Sequence, residues 1–401
     1  MEILPRRRFI KQTAKVAVLT VIGKPLLSFE SSEAAAQTMQ VNARGFFTVG
    51  QRNGRWWFIT PEGRPFFSIG LNHIDSATLR YKENAHLWRD KYANSMEKWL
   101  KHVRSDLIEW GFNTVGWVQE VVTRDDKNHR HSRNFTFEEY QWLNMPYCHM
   151  LPFVDFHQWE NETKHPNIHG KGFEDWCDYV ARAECGRLAD DPKLIGYFYS
   201  DCPTWVHIRE PNAWKGPLFD PGKLKTQAGH KELTQLASHY YKVTHDAIRR
   251  YDKNHLILGD RYEARAPLPD EVVRAAMPYV DVLSFQCFGG AQIVNEKLGY
   301  WAKFSGRPIL LADSAVRIKS STSEGVRKPH HQDPQAYEEK MRVLQQIPEC
   351  VGFHLCGAYV CNRVRQYGLR DEQDRIDTES VKGIARINEE TARWMRESAQ
   401  R

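Results

Sequence analysis

Along this chain, short apolar runs repeatedly stop on a carboxylate, an amide or an imidazole. FFSIGL ends in Asn72 and His73, and FNTVGW leads through Trp117 to Glu120. GYFYS runs into Asp201, Cys202 and, shortly after, Trp205. LILGD is followed by Arg261 and Glu263, VLSFQ ends on Gln286, PILLA stops at Asp313, and CVGFHL carries His354. One such ending is explained by helix capping, because Asp and Ser favour that position. The repetition is what points to a shared site. Asp201 and Asp313 are the candidates for paired acid–base or nucleophilic chemistry. Arg261 and Asn72 are expected to hold substrate hydroxyls or orient Asp313. His73, Glu120, Glu263, Gln286 and His354 are expected at the rim, with Trp117 and Trp205 as stacking platforms.

Other chemistries lack their residues. The sequence has no G-x-S-x-G elbow and no Gly-rich phosphate loop, so no cofactor is expected. Its eight cysteines form no C-x-x-C pair, and the loop histidines fall at no ligand spacing, so neither zinc nor another metal is expected. Buried thiols are the default reading of the cysteines.

The elements that must position these residues alternate. Eight strand-like runs, Phe66–Asn72, Phe112–Trp117, Cys148–Asp155, Leu194–Ser200, His255–Asp260, Tyr279–Phe285, Pro308–Asp313 and Cys350–Leu355, are separated by helix-length segments. Met96, Trp99, Leu100, Val103, Leu107 and Trp110 form one amphipathic stripe, and Leu233, Leu236, Tyr240, Val243 and Ala247 another. Eight βα units predict an α/β chain closed into a (β/α)8 TIM barrel over residues 66–401, with chemistry at the carboxyl ends of its strands. Residues 37–65, with turn signals at Asn53-Gly54 and Pro61-Glu62-Gly63, predict a small β-element packed on that barrel. Residues 125–143, 158–172 and 209–230 read as long loops.

Residues 1–36 carry an address. Arg6, Arg7 and Arg8 precede a modest apolar stretch and then Ala34-Ala35-Ala36, the layout of a twin-arginine signal peptide. The twin-arginine export machinery is the expected partner of this leader, and the location expected is periplasmic or secreted. Six basic residues in this segment against three acidic ones account for half of the net charge of +6. What remains is no basic stripe, which argues against a nucleic-acid partner. No run is long and apolar enough to span a membrane.

WWFITPEGRPFFSIGLNHI resembles the lead-in to the barrel of β-agarase-type and β-galactosidase-like glycoside hydrolases. LIGYFYSDCPTW, HLILGDRYEA, YVDVLSFQCF, GRPILLADSA and VGFHLCGAY followed by QYGLRDEQD continue the resemblance over roughly residues 45–375. It implies a hydrolase for a β-linked oligo- or polysaccharide, of galactan or agarose type or a related wall polymer. In such enzymes strand four typically ends in Asn-Glu, the acid/base, and strand seven in a nucleophilic glutamate. Here Asp313 takes the second position, while Asp201 and Cys202 replace Asn-Glu. The resemblance therefore implies Asp313 as nucleophile or base; with Cys202 at the acid position, the general acid is expected to be Asp201, or else another carboxylate such as Glu120 or Glu263 that reaches in. The altered motif keeps two other readings open: a non-hydrolytic carbohydrate-binding barrel, or a sugar lyase or isomerase on the same scaffold.

Overall fold

The computed structural model describes residues 45–400 except 118–120, 124–128, 132–133, 155–164, 209–212, 214–215, 317–330 and 363–366. The leader at 1–36 and Glu120 lie outside the described residues.

Three strands come first: β1 (Thr48–Arg52), β2 (Arg55–Ile59) and β3 (Pro65–Phe66), an antiparallel sheet in that order. The barrel strands begin with β4 (Ser68–Leu71) and β5 (Thr114–Val115). A hairpin of β6 (Val121–Thr123) and β7 (His129–His131) interrupts them. Then follow β8 (Tyr147–Met150), β9 (Leu194–Asp201), β10 (Leu256–Glu263), β11 (Leu283–Gln286), β12 (Ile309–Ser314) and β13 (Cys350–Leu355). Each pairs in parallel with its neighbour, and β13 closes onto β4. This is the closed eight-stranded barrel expected from the alternating pattern. A short parallel pair, β14 (Ala358–Val360) and β15 (Gly368–Arg370), follows it.

Two apolar layers hold the barrel. Between strands and helices lie the stripes read from sequence: Trp99, Leu100, Val103 and Leu107 of the helix Met96–Glu109 are fully buried. Each such side chain contributes roughly 1.5–3 kcal/mol through burial. Ser95 accepts from Lys98 N to cap that helix, and Gly111, with φ +75, ends the turn beyond it. The inner layer is Ile195, Phe198, Leu256, Leu258, Val282, Leu310, Ala312 and Val351, joined by Phe47 and Phe58 from the leading sheet. That sheet is tied down through Arg55, which donates to the carbonyls of Ile347 (2.7 Å), Gln345 (2.6 Å) and Leu344 (3.2 Å). These carbonyls lie at the C-terminal end and cap of the helix Pro334–Gln346, where a positive charge is favoured. All eight cysteines are buried free thiols.

Strict alternation fails in several strands, and two of these failures, in β10 and β12, serve the mouth of the barrel. In β10, Leu256 and Leu258 face inward, so a period of two would send Asp260 inward as well. Gly259 instead adopts φ +63 within an irregular pairing to β9. This bulge turns Asp260 outward, where it accepts from Tyr240 (3.0 Å) and Tyr241 (2.6 Å) of the helix Gln227–Tyr251. Arg261 is thereby aimed inward. A β-carbon at position 259 would lie 2.9 Å from Val280 Cγ1, so the bulge requires glycine twice over. In β12 a register shift beside Asp313 does the same work. Ala312 and Asp313 both face inward, while Ser314 turns out to accept from Lys340 at 2.7 Å.

Candidate active site

At the carboxyl end of the barrel one buried guanidinium joins the two carboxylates singled out from sequence. Arg261 is completely buried; its Nη1 lies 3.1 Å from Asp201 Oδ1 and its Nη2 3.1 Å from Asp313 Oδ2. Nη2 also donates to Ala312 O at 3.2 Å. Below it, the Trp117 ring centroid is 4.3 Å from the guanidinium carbon, a cation–π contact in a desolvated setting. Trp117 donates its indole N–H to Met150 Sδ and is 2% exposed.

Each carboxylate is oriented by an amide. Asn72 Nδ2 donates to Asp313 Oδ1 at 2.8 Å and to Ala312 O, while its Oδ1 accepts from Trp117 N at 2.8 Å. All of its amide atoms are thus engaged, and the rotamer is fixed. Gln286, opposite Glu263 in the pairing of β10 with β11, donates to Asp201 Oδ1. The absence of a side chain at position 116 makes the Asn72 arrangement fit. A β-carbon there would lie 2.1 Å from Asn72 Oδ1 and 3.0 Å from His354 Nδ1.

Burial raises the affinity of Asp313 for a proton; Arg261 opposes this, Asp201 adds to it, and donors from Asn72 and Cys356 oppose it again. In a carboxylate held by two donor groups, that balance gives a stronger base. Asp201 is the more accessible of the pair.

The remaining expectations divide. Glu263 sits at the rim, 18% exposed and held by Arg265 Nε at 3.2 Å. His73 is buried beside Trp117, with ring centroids 5.1 Å apart and a left-handed φ of 60°. His354 is not at the rim. It lies inside the barrel, completely buried, with Nε2 2.8 Å from Ser68 Oγ, and it fits because Gly70 has no side chain. Burial, with Arg261 as a second cause, pushes its imidazole down to about 3, so it stays neutral. Both tryptophans, expected as stacking platforms, are buried. Trp117 underlies Arg261, and Trp205, 1% exposed, faces the helix layer against Tyr240 and Tyr241. In both cases the ring is consumed by packing.

Cys202 stands where the resemblance places an acid. It is 7% exposed with φ +50, and its backbone N donates to Arg261 O at 3.1 Å. One residue at the mouth was not anticipated. Cys356 lies two positions beyond His354, so the alternation of β13 carries the same inward face up to the rim there. Among the described residues, His73, Asp313 and Cys356 each bring one ligand-capable atom within 4.8 Å of the other two. That trio could hold a metal ion.

No family model and no curated protein sequence matches the chain. Solved structures do resemble it. An exo-β-agarase superposes with a TM-score of 0.67 at 17% identity, over 90% of this chain and 66% of its own. The agarase AgWH50C gives 0.66 at 17%, over 90% and 64%. A β-glucuronidase from an uncultured Clostridium sp. gives 0.51 at 12%, over 86% and 53%. The chain thus spans about two thirds of the length of these agarases and half that of the glucuronidase. What it has in common with them is the fold: this chain is a (β/α)8 barrel of the kind found in TIM-barrel glycoside hydrolases.

Proposed function

We propose that the protein is a β-glycoside hydrolase acting on an oligo- or polysaccharide, with Asp201 and Asp313 as its working carboxylates. The observation that carries this reading is the single buried guanidinium shared by the two carboxylates at the strand ends. Asp313, with its oxygens held by Asn72 and Arg261, is the fixed nucleophile or base. Asp201, the more accessible, is the general acid that protonates the leaving oxygen. Gln286 and Glu263 line the rim beside it. Likeness in fold to agarases directs the substrate search toward galactans of agarose type and related wall polymers. The leader read from residues 1–36 goes with export by the twin-arginine machinery to the periplasm or beyond, where such polymers are met.

The substitution of the usual acid by Cys202 favours a second reading, a barrel that binds carbohydrate without cleaving it. A thiol is a poor proton donor to a leaving alcohol. A screen of polysaccharides and chromogenic β-glycosides against wild type, Asp201→Asn and Asp313→Asn separates the two. Hydrolysis by wild type that falls at least a hundredfold in each variant supports the pair. Hydrolysis that both variants retain rejects it, and binding with no turnover on any substrate supports the second reading.

A further inference from the structure

The ends of three neighbouring strands bring an imidazole, a carboxylate and a thiol to one point. β12, β13 and β4 are adjacent in the barrel; Asp313 belongs to the first, while Cys356 and His73 follow the second and third. Their ligand-capable atoms lie within 4.8 Å of one another, and the residues are 3%, 4% and 1% exposed. The backbone holds each in place. Cys356 N donates to Ser314 O at 3.0 Å, and His73 N donates to Trp117 O at 3.0 Å. The His73 carbonyl in turn accepts from Tyr359 N at 3.2 Å. Asp313 is set by Asn72 and Arg261. Such a trio is convergent before any ligand arrives.

The donor types select the ligand. Nitrogen, sulfur and oxygen together suit a borderline-soft divalent ion, whereas magnesium and calcium prefer oxygen alone. Metal–ligand lengths of about 2.0–2.3 Å fit a triangle of this size after small side-chain rotations. Three protein ligands with a remaining open position is the pattern of reactive zinc sites. Arg261, 3.1 Å from Asp313, and the buried Lys340 ammonium, which acts on both Asp313 and Cys356, oppose a cation, but a deprotonated Cys356 together with Asp313 and Asp201 outweighs those two positive charges.

We propose that His73, Asp313 and Cys356 form a three-ligand site for a divalent cation of the zinc class. Binding breaks the S–H bond of Cys356; the thiolate ligates the ion and the proton leaves to solvent, with no change of oxidation state. The ion also captures the carboxylate needed for hydrolysis. That second consequence rests on the function proposed above, and occupancy inhibits the enzyme.

The test uses the full chain, with zinc followed by calorimetry and cobalt(II) by absorption. One equivalent binds, and the cobalt form shows a thiolate-to-metal charge-transfer band in the near ultraviolet. Cys356→Ser abolishes the band and weakens zinc binding at least tenfold, His73→Gln weakens it similarly, and Cys202→Ser retains both. Absence of the band in wild type overturns the site without recourse to any variant, as does a band that survives Cys356→Ser or disappears in Cys202→Ser. Zinc raises the melting temperature of wild type more than that of Cys356→Ser at the same concentration; equal shifts in both overturn the site. None of these readings involves a glycoside. Failure of the hydrolase reading therefore leaves them standing, and an active enzyme lacking the band loses only the metal site.

Discussion

Replacing Arg261 by Met asks how much the mouth of the barrel depends on one charge. The methionine fills most of the volume, so the loss is chiefly electrostatic. Asp201 and Asp313 would face each other with neither 3.1 Å contact to a cation, and Ala312 O would lose its charged donor. Removing one member of a buried ion pair costs about 3–5 kcal/mol, because the partner charge stays buried and uncompensated. Here two partners are left, one of them 3% exposed. Urea unfolding of Arg261→Met should therefore show a loss at the upper end of that range, read from the midpoint at constant m-value. Arg261 is also the largest influence holding the Asp313 carboxyl down against burial. Without it Asp313 keeps its proton to higher pH, and the acid limb of any activity profile moves upward. Adding Asp201→Asn and Asp313→Asn removes the stranded charges and should recover most of the lost stability. Arg261→Lys, a point charge without the fork, should fall between. A single-variant loss below about 1 kcal/mol, or a triple variant no more stable than Arg261→Met, would refute the reasoning.

Gly116→Ala forces a β-carbon against Asn72 Oδ1; we expect about 1–3 kcal/mol of overpacking and a large loss of activity, and an active, equally stable variant would show that Asn72 does not need its position. Trp205→Ala should cost about 3–5 kcal/mol as a core truncation while leaving KM unchanged in protein kept folded by low temperature; a raised KM with little loss of stability would restore the stacking role. Burial lowers Lys340 to about 8. Above that pH the native amine is neutral, while the unfolded chain keeps its proton up to about 10.4. Wild-type stability should therefore rise by about 1.4 kcal/mol per pH unit across this window, and Lys340→Met should lack the rise. Parallel stability–pH curves for the two proteins would contradict it.

The barrel was legible because eight apolar runs alternate with helical stripes, and the strand ends Asn72, Arg261, Gln286 and Asp313 were legible because polar residues there interrupt apolar ones. Their orientations were harder to read. Period-two alternation is a property of regular strands, and it fails at Gly259 and beside Asp313. Depth along a strand was also hidden. His354 and Cys356 share an inward face, yet only the second reaches the mouth. The burial of Trp117 and Trp205 was not legible, because an aromatic ring at a strand end serves a core as readily as a sugar, and composition does not say which side of the sheet it occupies.

The kink at Gly259 decides the sign of charge that β10 delivers to the mouth. Asp260 and Arg261 are adjacent in sequence, and one residue of slippage determines which of them faces Asp201 and Asp313. With Asp260 inward, the mouth would gather three carboxylates and no cation. Mutual repulsion would then hold a proton on at least one of them at neutral pH, and no cation would remain to fix the carboxylate that stays ionised. A glycine with no chemistry of its own thus fixes the ionisation state on which the chemistry depends.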